Sequence, residues 1–225
     1  MNIKILQGID GAKQATGLTV IIDVFRAFSV EAYLFFKGAK KIIPIGDSEI
    51  AYNLKKENPD MLLSGERGGK IMPGFDFGNS PAQLLNIDTN GKTVIHTTSA
   101  GTQGIANATN ATEILGGSLL TAKAISKYIK KANASDVSLV CMGYAGKYPT
   151  EEDTLCAEYI KALLEDKPFD LNGGIENVKR TSGAKFFDKE QAEVFPKEDF
   201  YLCTEVDKFN FIIKLNNGYM EKIEM

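Results

Sequence analysis

Short apolar runs alternate with segments of helical period from residue 18 to about residue 166. The apolar runs are rich in β-branched residues, which favours strands. Strands are predicted over residues 18–24, 40–45, 60–65, 92–98, 111–115 and 136–143. The segments between them carry the apolar spacing of helices, which are predicted over residues 28–38, 47–57, 80–86 and 118–132. This order predicts a three-layer α/β/α sandwich, with helices on both faces of a mixed but largely parallel sheet.

The pattern changes after residue 166. Residues 167–187 are predicted to be rich in loops, and Asn217-Gly218 between two apolar runs predicts an antiparallel C-terminal hairpin. We therefore expect a core domain over 1–166 that carries the site, and an extension over 167–225 packed on the same domain. The hairpin is expected to add to the sheet or to form a small cap. Two roles stay open for the loop-rich part, a lid or a contact in a homo-oligomer.

Composition narrows the classes of partner. The net charge of −3 and the scattered lysines argue against a nucleic-acid partner, which normally needs a basic stripe. No apolar run approaches the roughly 20 residues of a membrane span, and the first residues do not resemble a signal peptide. Cys141, Cys156 and Cys203 are an odd number without metal-site spacing, which fits free thiols in the cytoplasm.

Asp23 and Arg26 lie where the first predicted strand ends, and ligands of α/β sheets bind beyond the carboxyl ends of strands. Only three arginines stand among the 26 basic residues of the chain. The planar guanidinium group matches phosphate and sulfonate oxygens in a way that an ammonium group does not. The pair therefore indicates a metal ligand or nucleophile beside an anion-binding group. The alternative is a structural Asp–Arg ion pair.

Glu66 and Arg67 repeat this pairing after the strand over 60–65. A glycine-rich loop follows and leads into a helix start at Asn79 and Ser80, in the sequence GNSP. Backbone N–H groups at such a helix start bind anions. We expect Arg67, Asn79 and Ser80 to contact a substrate, and the alternative is a surface loop with a good helix cap.

The sequence TTSAGT, residues 97–102, forms a third candidate turn where the strand over 92–98 ends. Its hydroxyl groups and glycine open a short helix, which is typical of a turn that cradles phosphate. Ser99, Gly101 and Thr102 are the predicted contacts. His96, the only histidine of the chain, lies inside the predicted strand and is expected to be buried rather than to act as a general acid.

Three consecutive acids begin the helical segment after residue 150. Thr150 and Asp153 match a capping box, but three acids exceed what capping requires. Hard carboxylate oxygens near the strand ends suit Mg²⁺. The predicted metal ligands are Asp23, Glu66, Glu152 and Asp153.

Five motifs in this order carry a resemblance to a known family. They are IDVFRAFS, GERGG, GFDFGNSP, TTSAGT and EEDTLCA, and they span about residues 18–165. Together they resemble the 2-phosphosulfolactate phosphatase family, and GERGG with GFDFGNSP is the most specific part. Ser99 and Ala100 stand where the family pattern has one asparagine, and Glu158 stands where glycine is frequent.

The resemblance implies a Mg²⁺-dependent phosphomonoester hydrolase with a three-layer α/β fold. The expected reaction converts 2-phospho-3-sulfolactate to 3-sulfolactate and phosphate, a step toward coenzyme M in methanogens. Asp23, Arg26 and Arg67 are then the expected catalytic residues. Whether Asp23 attacks phosphorus or activates water stays open. The remaining alternatives are a phosphatase for another 2-phospho acid and a non-catalytic anion-binding module.

Overall fold

A ten-stranded mixed sheet with helices on both faces forms the framework of the protein, as the α/β prediction requires. The computed structural model describes residues 1–225. The strands are β1 Asn2–Gln7, β2 Gly17–Ile22, β3 Lys41–Pro44, β4 Leu62–Arg67, β5 Lys70–Ile71, β6 Thr93–Thr97, β7 Ala111–Gly117, β8 Asp136–Cys141, β9 Phe211–Asn216 and β10 Tyr219–Glu224. All six predicted strands are confirmed.

The four predicted helices are also present. The helices are α1 Gly8–Gln14, α2 Ala27–Phe36, α3 Ser48–Glu57, α4 Pro81–Leu84, α5 Gly101–Asn107, α6 Ala122–Lys131, α7 Glu151–Leu164, α8 Leu171–Arg180 and α9 Lys197–Cys203. Short 3₁₀ turns lie at Leu119–Thr121, Ala184–Phe187 and Lys189–Gln191. None of these helices has the length and apolar character needed to cross a membrane.

The C-terminal hairpin lies in the middle of the sheet. The strand order is β1-β8-β2-β7-β9-β10-β3-β6-β4-β5, so β9 and β10 join one parallel group to another. Asn217 and Gly218 at its turn have φ values of 49° and 81°, which suit a two-residue hairpin turn. The hairpin is thus an addition to the sheet, as one of the two expectations had it. The division of the chain at residue 166 stays a prediction.

Strand twist brings the ends of the two parallel groups together. Three successive antiparallel pairings separate the groups, so a flat sheet would place their carboxyl ends at opposite edges. Neighbouring strands are rotated by about 20–25°, which amounts to about 100–125° over the five steps from β2 to β6. The segments that follow β2 and β6 are in contact in the structure. A β carbon at Gly101, after β6, would lie 2.7 Å from Cβ of Ala27, after β2.

Helix α2 lies in the core on one face of the twisted sheet, where it contacts α4, α5 and β7. Nine of its ten residues are buried, and its apolar residues surround the helix instead of forming one stripe. Its Phe28 ring lies against Gly116 of β7, where a β carbon would be 2.4 Å from Cδ1 of the ring. Tyr33 packs edge-on against Phe209, with ring centroids 5.4 Å apart. This packing fixes the start of α2 at Ala27, four residues after Asp23.

Residues 167–187 were expected to be rich in loops, but they contain a helix and a 3₁₀ turn. Helix α8 forms there and directs Leu171, Ile175 and Val178 toward a cluster that includes Leu155 of α7. Gly174 permits this close approach, because a β carbon there would lie 2.2 Å from Cδ1 of Leu155. Two adjacent glycines lower helix propensity, which hid the helical period in the sequence.

Replacing Gly116 with alanine is expected to destabilise the protein by about 1–3 kcal/mol, because the new methyl group would overlap the Phe28 ring. Chemical denaturation of the purified variant measures this loss. In the double variant with Phe28→Leu, the smaller side chain should relieve the overlap. The combined loss should then be less than the sum of the two single losses. Strict additivity would contradict this packing.

Candidate active site

A cavity of about 120 Å³ lies where the chain leaves strands β2, β4, β6 and β8. Six of the predicted site residues line it: Asp23, Arg26, Glu66, Asn79, Ser99 and Glu152. Five others do not: Arg67, Ser80, Gly101, Thr102 and Asp153. The structure therefore brings residues from four separate strand ends to one cavity, and their roles stay predictions.

The carboxylates of this region are buried close together. Burial raises the pKa of Asp23 to about 6, and the charges of Glu66 and Glu152 add to the rise. A hydrogen bond of 3.1 Å from the backbone N–H of Ala27 to Oδ1 opposes it. Burial also raises the pKa of Glu152, whose Oε2 atom has no hydrogen-bond partner. A cation at this site would relieve the unfavourable charge.

Asp153 joins two strand ends. Its Oδ1 atom accepts a hydrogen bond of 2.8 Å from the N–H of Val24, and its Oδ2 atom accepts one of 2.8 Å from the N–H of Gly143. The capping box with Thr150 does not form, since Thr150 makes no side-chain cap. Burial and the charges of Glu152 and Asp23 raise the pKa of Asp153 well above its usual range. Asp153 thus fixes the relative positions of the segments after β2 and β8.

Glu66 has a similar role on the other side of the cavity. Its Oε1 atom accepts a hydrogen bond of 2.7 Å from the N–H of Ser99, and its Oε2 atom accepts one of 2.7 Å from the N–H of Gly69. The Ser99 hydroxyl donates to Oε2 as well, at 3.2 Å. The Ser99 side chain therefore binds Glu66, and the two residues connect the loops after β4 and β6.

Arg26 is paired with an acid from the C-terminal part of the chain. Its Nη1 atom lies 2.7 Å from Oδ2 of Asp199, and both side chains are buried. Nη1 also donates to the carbonyl of Val194 and Nη2 to that of Gly69. The hydroxyl of Ser80 donates to Oδ1 of Asp199 at 2.9 Å. Arg26 is a structural ion-pair partner as well as a cavity residue, and its partner is Asp199.

Arg67 points away from the cavity. Its Nη2 atom donates to the Thr97 hydroxyl at 2.9 Å, and its Nη1 atom donates to the carbonyl of Glu66 at 2.7 Å. Thr102 is also engaged locally, because its hydroxyl accepts a hydrogen bond from the N–H of Thr98. Gly101 leaves room for Asp23, since a β carbon would lie 3.0 Å from Oδ2 of that residue.

Lys185 is a cavity residue that sequence reasoning missed. Its Nζ atom lies 5.1, 5.5 and 5.8 Å from the ring centroids of Phe195, Phe186 and Phe25, respectively. It takes part in none of the ion pairs of the protein. Its charge acts on Glu152, whose pKa it lowers against the effect of burial. No motif marked this lysine, because its segment was expected to be a loop.

The carboxylates of the cavity can supply some, but not all, of the ligands of a Mg²⁺ ion. No three acidic, histidine or cysteine side chains lie close enough together to bind a metal on their own. Mg²⁺ is usually held by only one or two carboxylates, with water and substrate phosphate as further ligands. Asp23 and Glu152, whose Oε2 atom is unpaired, fit that arrangement. The four-carboxylate site stays a prediction.

Asp23→Asn is expected to stabilise the protein in EDTA at pH 7.5. The unfolded chain releases the Asp23 proton near the ordinary pKa of 3.8, whereas the folded protein holds it until about pH 6. Folding stability of the parent protein should therefore fall between those values, and asparagine avoids the loss. The gain is about 3 kcal/mol at most, at 1.36 kcal/mol per pKa unit.

Urea denaturation from pH 3 to pH 8 measures this gain, which should vanish below about pH 4. Asp10→Asn is the matched control, because the Asp10 side chain is 88% exposed. An Asp23 variant less stable than the parent at pH 7.5 would contradict the electrostatic account of the site.

Comparison with protein families adds an independent finding. Residues 4–218 match the model of the 2-phosphosulpholactate phosphatase family. Probable 2-phosphosulfolactate phosphatases of Caldanaerobacter subterraneus and Bacillus subtilis are 34% and 33% identical to this chain. The first match covers 88% of each chain, and the second covers 100% of this chain and 98% of the relative. A third, from Caldicellulosiruptor saccharolyticus, is 40% identical over 66% of this chain and 63% of its own. This chain belongs to the 2-phosphosulfolactate phosphatase family.

Proposed function

We propose that this protein is a Mg²⁺-dependent phosphatase that converts 2-phospho-3-sulfolactate to 3-sulfolactate and phosphate in the cytoplasm. The observation that carries the proposal is the cavity itself, in which buried acids face a lysine that has no acidic partner. The names of the relatives support the same substrate. In a methanogen the product would serve the synthesis of coenzyme M.

One part of the cavity would bind the metal and the phosphoryl group, and the other would bind the sulfonate. Asp23 and Glu152 would hold Mg²⁺, which supplies neutralising charge for the phosphoryl group. The reaction joins a water oxygen to phosphorus and breaks the ester P–O bond, and sulfolactate leaves with its hydroxyl protonated. Lys185 would bind the sulfonate, because the Arg26 charge is balanced by Asp199 and Arg67 lies outside the cavity.

Two alternatives differ from this proposal in substrate or in chemistry. A phosphatase for another 2-phospho acid would use the same carboxylates but would gain nothing from a sulfonate-binding lysine. A non-catalytic anion-binding module is disfavoured, because three carboxylates line the cavity and would repel a free anion.

The purified protein is expected to release phosphate from 2-phospho-3-sulfolactate in Mg²⁺ and to lose this activity in EDTA. Asp23→Asn should abolish turnover while the protein stays folded, and Asp10→Asn should leave it unchanged. A colorimetric phosphate assay with 2-phospholactate and phosphoglycolate in parallel measures the preference. Equal turnover of all three compounds would leave a phosphatase without sulfonate preference. Full activity of the Asp23 variant would contradict the assigned site.

Lys185→Met is expected to lower kcat/KM for 2-phospho-3-sulfolactate by about 10- to 100-fold, as the loss of a charged hydrogen bond predicts. Methionine keeps the packing against the three phenylalanine rings. For 2-phospholactate, which has no sulfonate, kcat/KM should stay the same. Lys123→Met, outside the cavity, is the control. An equal fall for both substrates would show that Lys185 binds the phosphoryl group or the carboxylate instead.

A further inference from the structure

Three polar side chains form a connected path from the middle of α2 to the cavity. Oε1 of Glu31 lies 2.9 Å from Nδ1 of His96, and Nε2 of His96 lies 3.2 Å from Oδ1 of Asn79. Glu31 and His96 are both fully buried, and Asn79 lines the cavity. The path thus joins α2, β6 and the loop before α4.

The first two residues are costly to bury. Glu31 belongs to the otherwise largely apolar helix α2, and its Oε2 atom has no hydrogen-bond partner. A buried acid and imidazole contribute little net stability compared with apolar side chains of similar volume. The path ends at Asn79, which lines the cavity, so its effect on the cavity is to orient the Asn79 side chain.

The direction of the Asn79 amide depends on the protons of His96. A neutral imidazole that donates from Nδ1 to Glu31 has a bare Nε2 atom, which can only accept. The Asn79 amide would then donate its NH₂ group to His96 and turn its oxygen to the cavity. An imidazolium donates from both nitrogens, so the amide oxygen binds His96 and the NH₂ group is left for the cavity.

The chemistry of the cavity favours the second arrangement. Its walls already carry Asp23, Glu66 and Glu152, and the substrate of the proposed function is an anion. An amide oxygen would add another acceptor, whereas an NH₂ group adds a donor. With Oδ1 of Asn79 toward Nε2 of His96, 3.2 Å away, the NH₂ group is the part of the amide that remains for the cavity.

We propose that Glu31 keeps His96 protonated on both nitrogens and thereby turns the Asn79 NH₂ group into the cavity, where it donates to a substrate oxygen. Asn79 is then a substrate-binding residue, and Glu31 and His96 are positioning residues. The substrate contact rests on the proposed function, whereas the protonation of His96 can be measured without substrate.

Nitrogen NMR tests the first step directly. Because His96 is the only histidine, protein labelled with ¹⁵N-histidine gives just two ring-nitrogen signals. At pH 7.5 both are expected to show a directly bonded proton, and in Glu31→Gln one nitrogen should lose its proton. A bare ring nitrogen in the parent protein would overturn the proposal, whether or not the protein is an active phosphatase.

A double-mutant cycle tests the second step. Glu31→Gln and Asn79→Ala are each expected to lower kcat/KM about tenfold or more, mainly through KM, while circular dichroism stays unchanged. In the Asn79→Ala background, Glu31→Gln should cause no further loss. Ser138→Ala, a buried polar residue distant from the cavity, is the control. An equal loss from Glu31→Gln in both backgrounds would overturn the link through Asn79.

Discussion

The burial of α2 against a twisted sheet is the constraint on which the rest of this structure depends. The two parallel strand groups run in opposite senses, and only a strongly twisted sheet can bring their carboxyl ends to one place. The apolar helix α2 packs on one face of that sheet, with Phe28 against β7 and Tyr33 against Phe209. The start of the same helix then determines where Asp23 lies. Packing in the core and geometry in the site are thus set by one element.

Most polar groups at the strand ends hold the site together. Glu66 and Asp153 each bind backbone N–H groups from two segments, so both carboxylates position loops. The groups left for a ligand or a cation are fewer, namely Asp23, Glu152, Asn79 and Lys185. Because Glu66 and Asp153 hold loops in place, only a few of the charged residues in these motifs remain free to bind a ligand.

The sequence was sufficient for the strands and for four helices, because those predictions depend on local periodicity. The rule that strand ends share an edge applies only within one parallel group, so it does not account for the meeting of Asp23 with Glu66, which follow strands of opposite sense in a twisted sheet. The central position of the hairpin could not be predicted in this way, because pairing between distant strands leaves no local signal. Helix α8 was missed because Gly174 serves close packing against Leu155 rather than helix propensity. The turn of Arg67 toward Thr97 depends on side-chain geometry, which periodicity does not report.

A buried ion pair helps to hold the C-terminal residues that complete the cavity. Asp199 binds Arg26 at the start of α2, and it also accepts hydrogen bonds from Ser80 and from the N–H of Ala82. These contacts attach the segment that contains Lys185 and Phe195 to both neighbouring helix starts. Removing either partner of such a pair would leave a buried charge without compensation. Together with the hydrogen bond from Arg26 to the carbonyl of Val194, the ion pair holds residues beyond 166 at the site, where the cavity lysine lies near acids that precede it in the chain.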